Sequence, residues 1–329
     1  MKSQILNILR AEKKIVSGEL LSSRLGVSRV SIWKHIHRLR ESGYDITATP
    51  KGYRLTNSFD ALYPWEFPGR EERIHYFPEV ASTMEIARDL ARKGCPDLTV
   101  VIGGIQKKGR GRLARNWISS EGGLYFTVVL RPQIPPVLSS RINFAASLSL
   151  ALTLRKMFDI NALVKWPNDI LIEGRKLMGM LSEMEAEGDM VSFINIGMGI
   201  NVNNDPADEE PNASSLKKIL GRNISRKTIL SGFLDELEAR MDNAALDNVI
   251  GEWKQYTMTL NQHVKIVTIN DVSEGIATDV DENGALILKL ADGSLKKIIY
   301  GDCFHQNADS SPSGTAENSP AIHDTVGKF

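Results

Sequence analysis

The stretch ALVKWPNDILIEGRKLMGMLSEME, residues 162–185, decides the fold of the longest part of the chain. Apolar and polar residues alternate on both sides of Glu173-Gly174, so the stretch predicts a β-hairpin. A second hairpin is predicted at Gly188-Asp189 and ends in VSFINIGMGINVNN. Because hairpins outnumber strand–helix–strand units, we expect an α+β domain with a mainly antiparallel sheet rather than a doubly wound one.

Further elements flank these hairpins. LTVVIGGIQ (98–106) predicts a strand, and MEIARDLARKG (84–94) predicts a helix that begins at Ser82 or Thr83 as its N-cap. INFAASLSLALTL (142–154) is the most apolar stretch. It is too short to span a bilayer, so we interpret it as a buried helix.

The composition is that of an ordinary globular protein. With 329 residues, 42% hydrophobic and 24% charged, the chain is expected to form a sizeable core and two or three domains. The two cysteines, Cys95 and Cys303, fit neither a disulfide framework nor a zinc site. The first residues lack the apolar region of a signal peptide, so we expect a soluble, cytoplasmic protein that does not contact a membrane.

Positive charge is concentrated at the N-terminus. Residues 1–58 hold eleven Lys/Arg against four Asp/Glu, a net charge of +7, so the remainder carries −7. SQILNILRA, SGELLSSRL and SRVSIWKHIHRLRES predict three helices, the last two with serine caps. YDITATPKGYRL (44–55) predicts two short strands around a basic turn. This order is typical of a winged helix-turn-helix that binds DNA in the major groove.

The third helix is expected to be the recognition helix. Its apolar residues Val30, Trp33, Ile36 and Leu39 recur every three positions and are predicted to face inward. The residues left for DNA contact, together with one from the basic turn, are Arg29, Ser31, Lys34, His35, Arg38 and Lys51.

Composition also divides the chain. NSFDALYPWEFPG (57–69) is rich in proline and aromatic residues and predicts a linker. VKIVTI, EGIATDV, ALILKL and LKKIIY are short strands separated by turns, which predicts a small C-terminal β-barrel. The last segment is polar and rich in Ser, Pro and Gly, and we expect it to be disordered. The predicted domains are residues 1–60, 61–260 and 261–305, followed by a tail of residues 306–329.

A basic, glycine-containing loop follows the strand at 98–106. KKGRGRLARNW (107–117) packs five cationic side chains into nine residues around Gly109 and Gly111. Glycine lets backbone approach a ligand closely, and arginine binds phosphate or carboxylate with two parallel donors. GRGRLA also matches a dinucleotide-binding fingerprint, but the NWISSEGG that follows does not open a helix, which argues against that function.

Taken together, GRGRLARNW, KWPND, RKLMGML, the winged helix and the C-terminal barrel resemble the bifunctional biotin–protein ligases that double as repressors of the biotin operon. The resemblance extends from the N-terminus to about residue 305. It implies a class II synthetase-like central domain with a mixed sheet and an SH3-like C-terminal barrel. It also implies that ATP activates biotin as biotinyl-5′-adenylate, with Mg²⁺ required, before the biotinyl group passes to a lysine of a carrier domain.

The same resemblance implies roles for individual residues. Lys176, Arg110 and Arg112 would stabilise charge during adenylation, and Asp169 would accept the proton of the acceptor lysine. No residue is assigned as a metal ligand. The residues implied to contact biotin or the adenylate are Ser82, Thr83, Met84, Gln106, Gly109, Arg110, Gly111, Arg112, Arg115, Trp117, Asn168, Lys176 and Asn201.

The chain departs from the family pattern at Met84, where asparagine is common. Two alternatives remain open: a lipoate–protein ligase, and a ligand-sensing repressor without ligase activity. The Ser82, Thr83 and Gln106 set favours biotin over lipoate, and the intact Lys176 favours a working ligase. The implied partners are the biotin carboxyl-carrier domain of a carboxylase, operator DNA of biotin synthesis genes and a second copy of the chain in a homodimer.

Overall fold

The computed structural model describes residues 1–57, 59–206, 210–241 and 243–305 of the chain. These residues form three parts in chain order: a helical module with a hairpin, a seven-stranded sheet flanked by helices, and a five-stranded sheet. This architecture confirms the predicted α+β fold with a mainly antiparallel central sheet. The predicted disordered tail, residues 306–329, lies outside the described residues.

The N-terminal module is a winged helix-turn-helix. Its elements are α1 (Lys2–Glu12), α2 (Gly18–Leu25), α3 (Arg29–Glu41), β1 (Asp45–Thr49) and β2 (Gly52–Asn57). The two predicted serine caps are confirmed: Ser17 Oγ accepts a hydrogen bond from the Leu20 amide at 3.0 Å, and Ser28 Oγ accepts one from the Ser31 amide at 3.2 Å. These caps fix where α2 and α3 begin, and so set the turn between them.

The predicted inner face of α3 is partly wrong. Val30 and Trp33 are 62% and 55% exposed, whereas Ile32 packs in the core with Ile36 and Leu39. A spacing of three falls short of the 3.6 residues of a helical turn, so a row at every third position drifts around the helix. Positions 32, 36 and 39 keep to one face, which is why they form the core.

Within the predicted linker, residues 59–69 form a packed joint between the first two parts. Glu66 is only 5% exposed and binds cations from both sides. Arg10 Nη2 of α1 lies 2.8 Å from Glu66 Oε1, and Lys227 Nζ lies 2.6 Å from Glu66 Oε2. The Tyr44 hydroxyl donates a further hydrogen bond to Glu66 Oε1 at 2.5 Å. This carboxylate therefore ties the winged helix to the central part.

The central part is built on one sheet of seven strands. They are β3 (Ile74–Val80), β4 (Thr99–Gln106), β5 (Leu124–Leu130), β6 (Leu163–Lys165), β7 (Asp169–Ile172), β8 (Arg175–Glu187) and β9 (Met190–Ile200). Their order in space is β3-β4-β5-β9-β8-β7-β6, and β3 and β4 are the only parallel neighbours. Both predicted hairpins are confirmed, because β7 pairs with β8 and β8 pairs with β9.

Helices cover the sheet unequally. They are α4 (Thr83–Arg92), α5 (Ser139–Phe158), α6 (Leu216–Leu220), α7 (Arg226–Arg240) and α8 (Asn243–Trp253). The main core lies between the sheet and the helices α5, α7 and α8. On the opposite face, α4 packs over β4, β5 and β9 through a smaller cluster that includes Ala87 and Phe193. That second face is left partly open for the loop at 107–117.

The buried helix predicted at 142–154 is confirmed as part of α5. Residues 136–158 form the one helical segment, among those described, that is long and apolar enough to cross a membrane. Its side chains at Leu148, Leu150 and Leu154 are fully buried in the main core. The apolar character of α5 is thus accounted for by packing between the sheet and α7 and α8.

The C-terminal part is a small antiparallel sheet. Its strands are β10 (His263–Val267), β11 (Val272–Val280), β12 (Leu286–Lys289), β13 (Leu295–Ile298) and β14 (Asp302–His305), in the order β13-β12-β11-β10-β14. Four of the five strands were predicted, and β14 was missed because DCFH is short and has no clear alternation. Trp166 of the central part donates from Nε1 to the Gly284 carbonyl at 3.1 Å, which joins the two sheets.

Candidate active site

Three glycines leave part of one face of the central sheet without side chains. Gly179 on β8 pairs with Gly199 on β9, and Gly197 lies two residues earlier on the same face of β9. A Cβ at Gly179 would lie 2.7 Å from the Trp117 indole, and one at Gly197 would lie 2.6 Å from Met84 Sδ. A Cβ at Gly199 would also clash with the indole. We call Gly179, Gly197 and Gly199 the glycine floor, since any larger residue there would displace Met84 or Trp117.

Four polar side chains form a hydrogen-bonded chain at one end of this floor. Thr127 is the cross-strand partner of Gly197, and its hydroxyl donates to Thr83 Oγ1 at 2.8 Å. Gln106 Oε1 accepts from the Thr83 amide at 2.9 Å and from its hydroxyl at 3.1 Å. Gln106 Nε2 donates to Ser119 Oγ at 3.0 Å. The structure thus brings the predicted Thr83 and Gln106 together, and it adds Ser119 and Thr127.

Ser82 does not cap α4 with its side chain, contrary to the expectation from its position. It is the N-cap residue, but its hydroxyl makes no capping hydrogen bond. Ser82 Oγ is buried and has no hydrogen-bond partner among the described residues. Burying an unpaired hydroxyl is unfavourable, so such a group is a candidate for binding a polar ligand atom.

Cationic side chains lie at the other end of the glycine floor, near Gly179. Lys176 Nζ on β8 lies 2.9 Å from Asp169 Oδ1 on β7, in an ion pair without hydrogen-bond geometry, and 5.5 Å from the centroid of the Trp117 ring. Arg112 Nη1 donates to Asn168 Oδ1 at 3.1 Å, one residue before Asp169. Arg112 and Lys176 therefore bind the side chains of two consecutive residues, 168 and 169.

Arg112 is the most enclosed of the three loop arginines. Its Nη2 donates to the Gly301 carbonyl at 3.2 Å, so it bridges the central and C-terminal parts. Burial lowers the pKa of Arg112, and the nearby carboxylates of Asp302 and Asp169 partly oppose that effect. A guanidinium with so little water around it interacts more strongly with an anion than an exposed one does.

The other two loop arginines form ion pairs with carboxylates. Arg110 Nη2 lies 2.7 Å from Glu183 Oε1 on β8, and Arg115 forms an ion pair with Asp302 of β14. Both side chains are well exposed, at 40% and 61%. Arg112 and Arg115 therefore reach adjacent residues, 301 and 302, whereas Arg110 binds a different strand. A joint role of the three arginines in binding phosphate stays a prediction.

The two predicted loop glycines differ in whether a larger residue would fit in their place. Gly109 packs against the Trp117 carbonyl, where a Cβ does not fit, and its own carbonyl accepts from the Trp117 amide at 2.9 Å. A Cβ at Gly111 would come no closer than 3.4 Å to any described atom, so space alone does not require glycine there. Asn201 lies at the end of β9, is 3% exposed, and accepts a hydrogen bond from Asn204 Nδ2 at 2.9 Å.

Asn195 is a buried polar residue that sequence reasoning missed. It is 0% exposed, and neither atom of its amide has a hydrogen-bond partner among the described residues. Its position on β9 places it on the face of Gly197, and it lines a cavity of about 310 Å³ with Arg88, Glu183 and Phe193. The sequence FINIGMGIN could have indicated this position, because residues 195, 197 and 199 alternate along the strand and so lie on the same face.

The predicted DNA contacts fall into two groups. Arg29, Lys34 and Arg38 are exposed on α3, and Lys51 is exposed at the tip of the β1–β2 hairpin. Ser31 and His35 are half-buried, and His35 Nδ1 has no partner among the described residues. Burial lowers the pKa of His35, which favours a neutral ring. His35 is therefore less accessible than the exposed Arg29, Lys34 and Arg38, and its role in binding DNA stays a prediction.

Comparison with known proteins agrees with this division of the chain. Residues 2–54 match a helix-turn-helix (HTH) domain model, residues 76–201 the biotin/lipoate A/B protein ligase family, and residues 259–306 the biotin protein ligase C-terminal domain. The bifunctional ligase/repressor BirA of Bacillus subtilis (strain 168) is 34% identical over 89% of this chain and 94% of its own length. The chain belongs to this bifunctional ligase/repressor family.

Other relatives extend the family assignment. The family member from Escherichia coli (strain K12) is 29% identical over 92% of this chain and 96% of its own length. A solved structure, biotin protein ligase from Aquifex aeolicus in complex with biotin and ATP, superposes with a TM-score of 0.60 at 27% identity. It covers 71% of this chain and 99% of that one. The family assignment confirms the resemblance first indicated by the loop and hairpin motifs.

Proposed function

We propose that this chain is an ATP-dependent biotin–protein ligase that also acts as a biotin-responsive repressor. The observation that best supports ligase activity is a site on the glycine floor whose two ends differ in chemistry. A neutral polar chain centred on Thr83 and Gln106 lies at one end, and Lys176 with Arg112 lies at the other. Biotin has the same division, with a neutral ureido ring at one end and a carboxylate at the other.

The neutral end suits the ureido ring. That ring offers N–H donors and a carbonyl acceptor, and the buried hydroxyl of Ser82 has no partner in the part of the chain that the structure describes. Thr83 and Gln106 supply further donors and acceptors that can exchange partners when the ring enters. The glycine floor leaves room for the bicyclic ring beneath Trp117 and Met84 once these side chains shift.

The cationic end suits the adenylation step. A biotin carboxylate oxygen attacks the α-phosphorus of ATP, the bond to the β-phosphate oxygen breaks, and pyrophosphate leaves. The carboxylate is already ionised, so the step needs two anions held in line more than it needs a base. Lys176 and Arg112 would stabilise the charge that builds on the phosphate oxygens, each contributing a few kcal/mol (roughly 3) in a water-poor site.

The transfer step needs a proton acceptor. The acceptor lysine attacks the acyl carbon of biotinyl-adenylate, an amide bond forms, and AMP leaves. The lysine must lose its proton to be nucleophilic, and Asp169 is the carboxylate beside Lys176 that would take it. Trp117 and Gly109 would hold the loop over the adenylate and limit its hydrolysis.

Mg²⁺ is part of the proposal because pyrophosphate is the leaving group. Among the described residues there is no group of three or more His, Cys, Asp or Glu that could hold a metal ion. Mg²⁺ would then be held mainly by the substrate phosphates, with Asp169 as a single protein carboxylate ligand. Such an ion would neutralise charge on the phosphates.

Two other functions fit the same site less well. A lipoate ligase would place an apolar dithiolane ring against Ser82, Thr83 and Gln106 and leave their polar atoms without a ligand partner. A repressor that only senses its ligand does not need Lys176 beside the carboxylate end. Both are therefore less well supported than the biotin ligase.

The repressor function rests on the winged helix. Its exposed Arg29, Lys34, Arg38 and Lys51 would bind operator DNA, and a homodimer would place two recognition helices on paired half-sites. The carrier domain of a carboxylase would be the second partner, in the cytoplasm. The domain boundaries at residues 60 and 260 belong to this proposal as well.

Transfer of radiolabelled biotin to a carrier domain tests the ligase. With ATP, we expect label on a single carrier lysine, and with lipoate as competitor in excess we expect no loss of label. Transfer of lipoate in place of biotin would establish the lipoate ligase, and no transfer of either would support the sensing repressor.

A further inference from the structure

The recognition helix carries two large apolar side chains on its outer surface. Val30 is 62% exposed and Trp33 is 55% exposed, three residues apart on α3 and away from the core row of Ile32, Ile36 and Leu39. Among the described residues, Trp33 is the only tryptophan with so much exposed surface. Exposing an indole to water is unfavourable, so the pair calls for a partner that covers it.

The indole is supported on its helix. Its ring centroid lies 5.5 Å from that of His37, one turn further along α3, with the two planes tilted by 46°. This contact favours an indole that stays along the helix surface. The Trp33 side chain is thus an ordered apolar group on the helix surface and not a freely rotating one.

Positive charge surrounds this apolar pair. Arg29 and Lys34 are the immediate neighbours of Val30 and Trp33 in sequence, and Arg38 follows on the next turn. All three are exposed, and Lys51 and Arg54 are exposed on the nearby hairpin. An apolar centre with a cationic rim complements the major groove of DNA, where phosphates line both edges and bases form the floor.

Only one group on the floor of the major groove is apolar, and it is the thymine 5-methyl group. The first turns of a recognition helix are those that reach base edges, and Val30 and Trp33 lie in those turns. We infer that Val30 and Trp33 determine operator specificity by contacting thymine methyl groups in each half-site. The inference rests on the proposed repressor function.

Uracil substitution tests this directly, because deoxyuridine keeps every hydrogen-bonding group of thymidine and lacks only the methyl group. The full chain with biotin and ATP first selects its operator from a randomised duplex pool. Binding is then measured to that operator and to versions in which one thymine of each half-site is replaced by uracil. For the wild type, we expect at least one position where the replacement weakens binding about fourfold, the effect of losing one buried methyl group.

Trp33→Ala and Val30→Ala should each reduce the penalty at its own position, with biotin transfer unchanged. Ile15→Ala, which removes a 41% exposed apolar side chain outside α3, should keep the full penalty. The inference fails if no thymine shows a penalty, or if Trp33→Ala keeps the penalty of the wild type. If Trp33→Ala keeps the penalty and instead dissociates a dimer, the pair is a protein contact and the inference is wrong. If the wild type selects no sequence, the repressor function itself fails.

Discussion

The ammonium of Lys176 lies 2.9 Å from the carboxylate of Asp169, across the hairpin of β7 and β8. The residue that would stabilise the adenylation step and the one that would accept a proton in the transfer step are therefore neighbours before substrate binds. In the proposed mechanism, Lys176 would act in the first step, on phosphate, and Asp169 in the second, on the incoming amine. Both proposed steps would then take place at one position in the site.

Lys176→Ala should slow formation of biotinyl-adenylate by about a hundredfold or more, since a positioned charge on phosphate is removed. Pyrophosphate release under single-turnover conditions measures the step, and circular dichroism checks the fold. Lys107→Ala, which removes an exposed lysine paired with Glu79 in the same region, is the matched control and should react normally. Adenylate formation near the wild-type rate would show that Lys176 has no such role.

Closure of the loop should matter more for keeping the adenylate than for first binding biotin. Gly109→Ser would push the loop away from the Trp117 carbonyl, and Arg112→Ala would remove its contacts to Asn168 and Gly301. Both variants should release adenylate and biotinylate lysines of a bystander protein. Retention of the intermediate equal to that of the wild type would contradict this role for the loop.

The glycine floor predicts a steric effect. Gly199→Ala adds a Cβ against the indole of Trp117, so we expect biotin to bind about tenfold more weakly or worse, because the loop can no longer settle on the sheet. Isothermal titration with biotin measures it. Gly251→Ala is the control, since a Cβ at that helical position meets nothing within 4 Å, and it should bind as the wild type does. Equal affinity in both variants would rule out a crowded floor.

The stability of the joint at Glu66 is expected to depend on pH. Burial opposes ionisation of Glu66, but hydrogen bonds from Arg10, Lys227 and Tyr44 outweigh it and lower its pKa below 4.5. A lowered folded-state pKa adds stability above the unfolded value of about 4.5, and that stability is lost as the pH falls through the folded value.

Glu66→Gln should therefore lower the free energy of unfolding by about 1–3 kcal/mol at pH 7, and by less below pH 4.5. Urea unfolding at the two pH values measures the difference. Glu72→Gln, at an exposed carboxylate, is the control and should change little at either pH. A difference between wild type and Glu66→Gln that does not shrink at low pH would rule out an ionised Glu66 in the joint.

Local patterns in the sequence were enough to predict the two hairpins of the central sheet and the DNA-binding module, but not the strands β3 and β5. Alternation around Glu173-Gly174 predicts the central hairpin, and serines at 17 and 28 predict where two helices begin, because turns and caps depend on neighbouring residues. The side of α3 that carries Trp33 was predicted wrongly, since a spacing of three was taken as one face.

The candidate site was only partly predictable, because many of its contacts join residues that are far apart in sequence. The motifs name Thr83, Gln106, Lys176 and Asp169, but other contacts of the site come from parts of the chain that are distant in sequence. Asn195, Ser119 and the pairing of Arg115 with Asp302 depend on how the sheet and the C-terminal strands come together, and no local pattern encodes such contacts.

The central claim is that one chain both makes biotinyl-adenylate and reports it on DNA. The direct measurement is an operator titration with the full chain at fixed salt, with and without biotin plus ATP. Removing residues 1–58 should abolish binding and spare much of the ligase activity, and Arg38→Ala should weaken binding without affecting biotin transfer. For the wild type we predict that the two ligands raise operator affinity about tenfold or more, a coupling of ~1.4 kcal/mol. Equal affinity in the two conditions would contradict a biotin-sensing repressor and leave only a ligase that binds DNA.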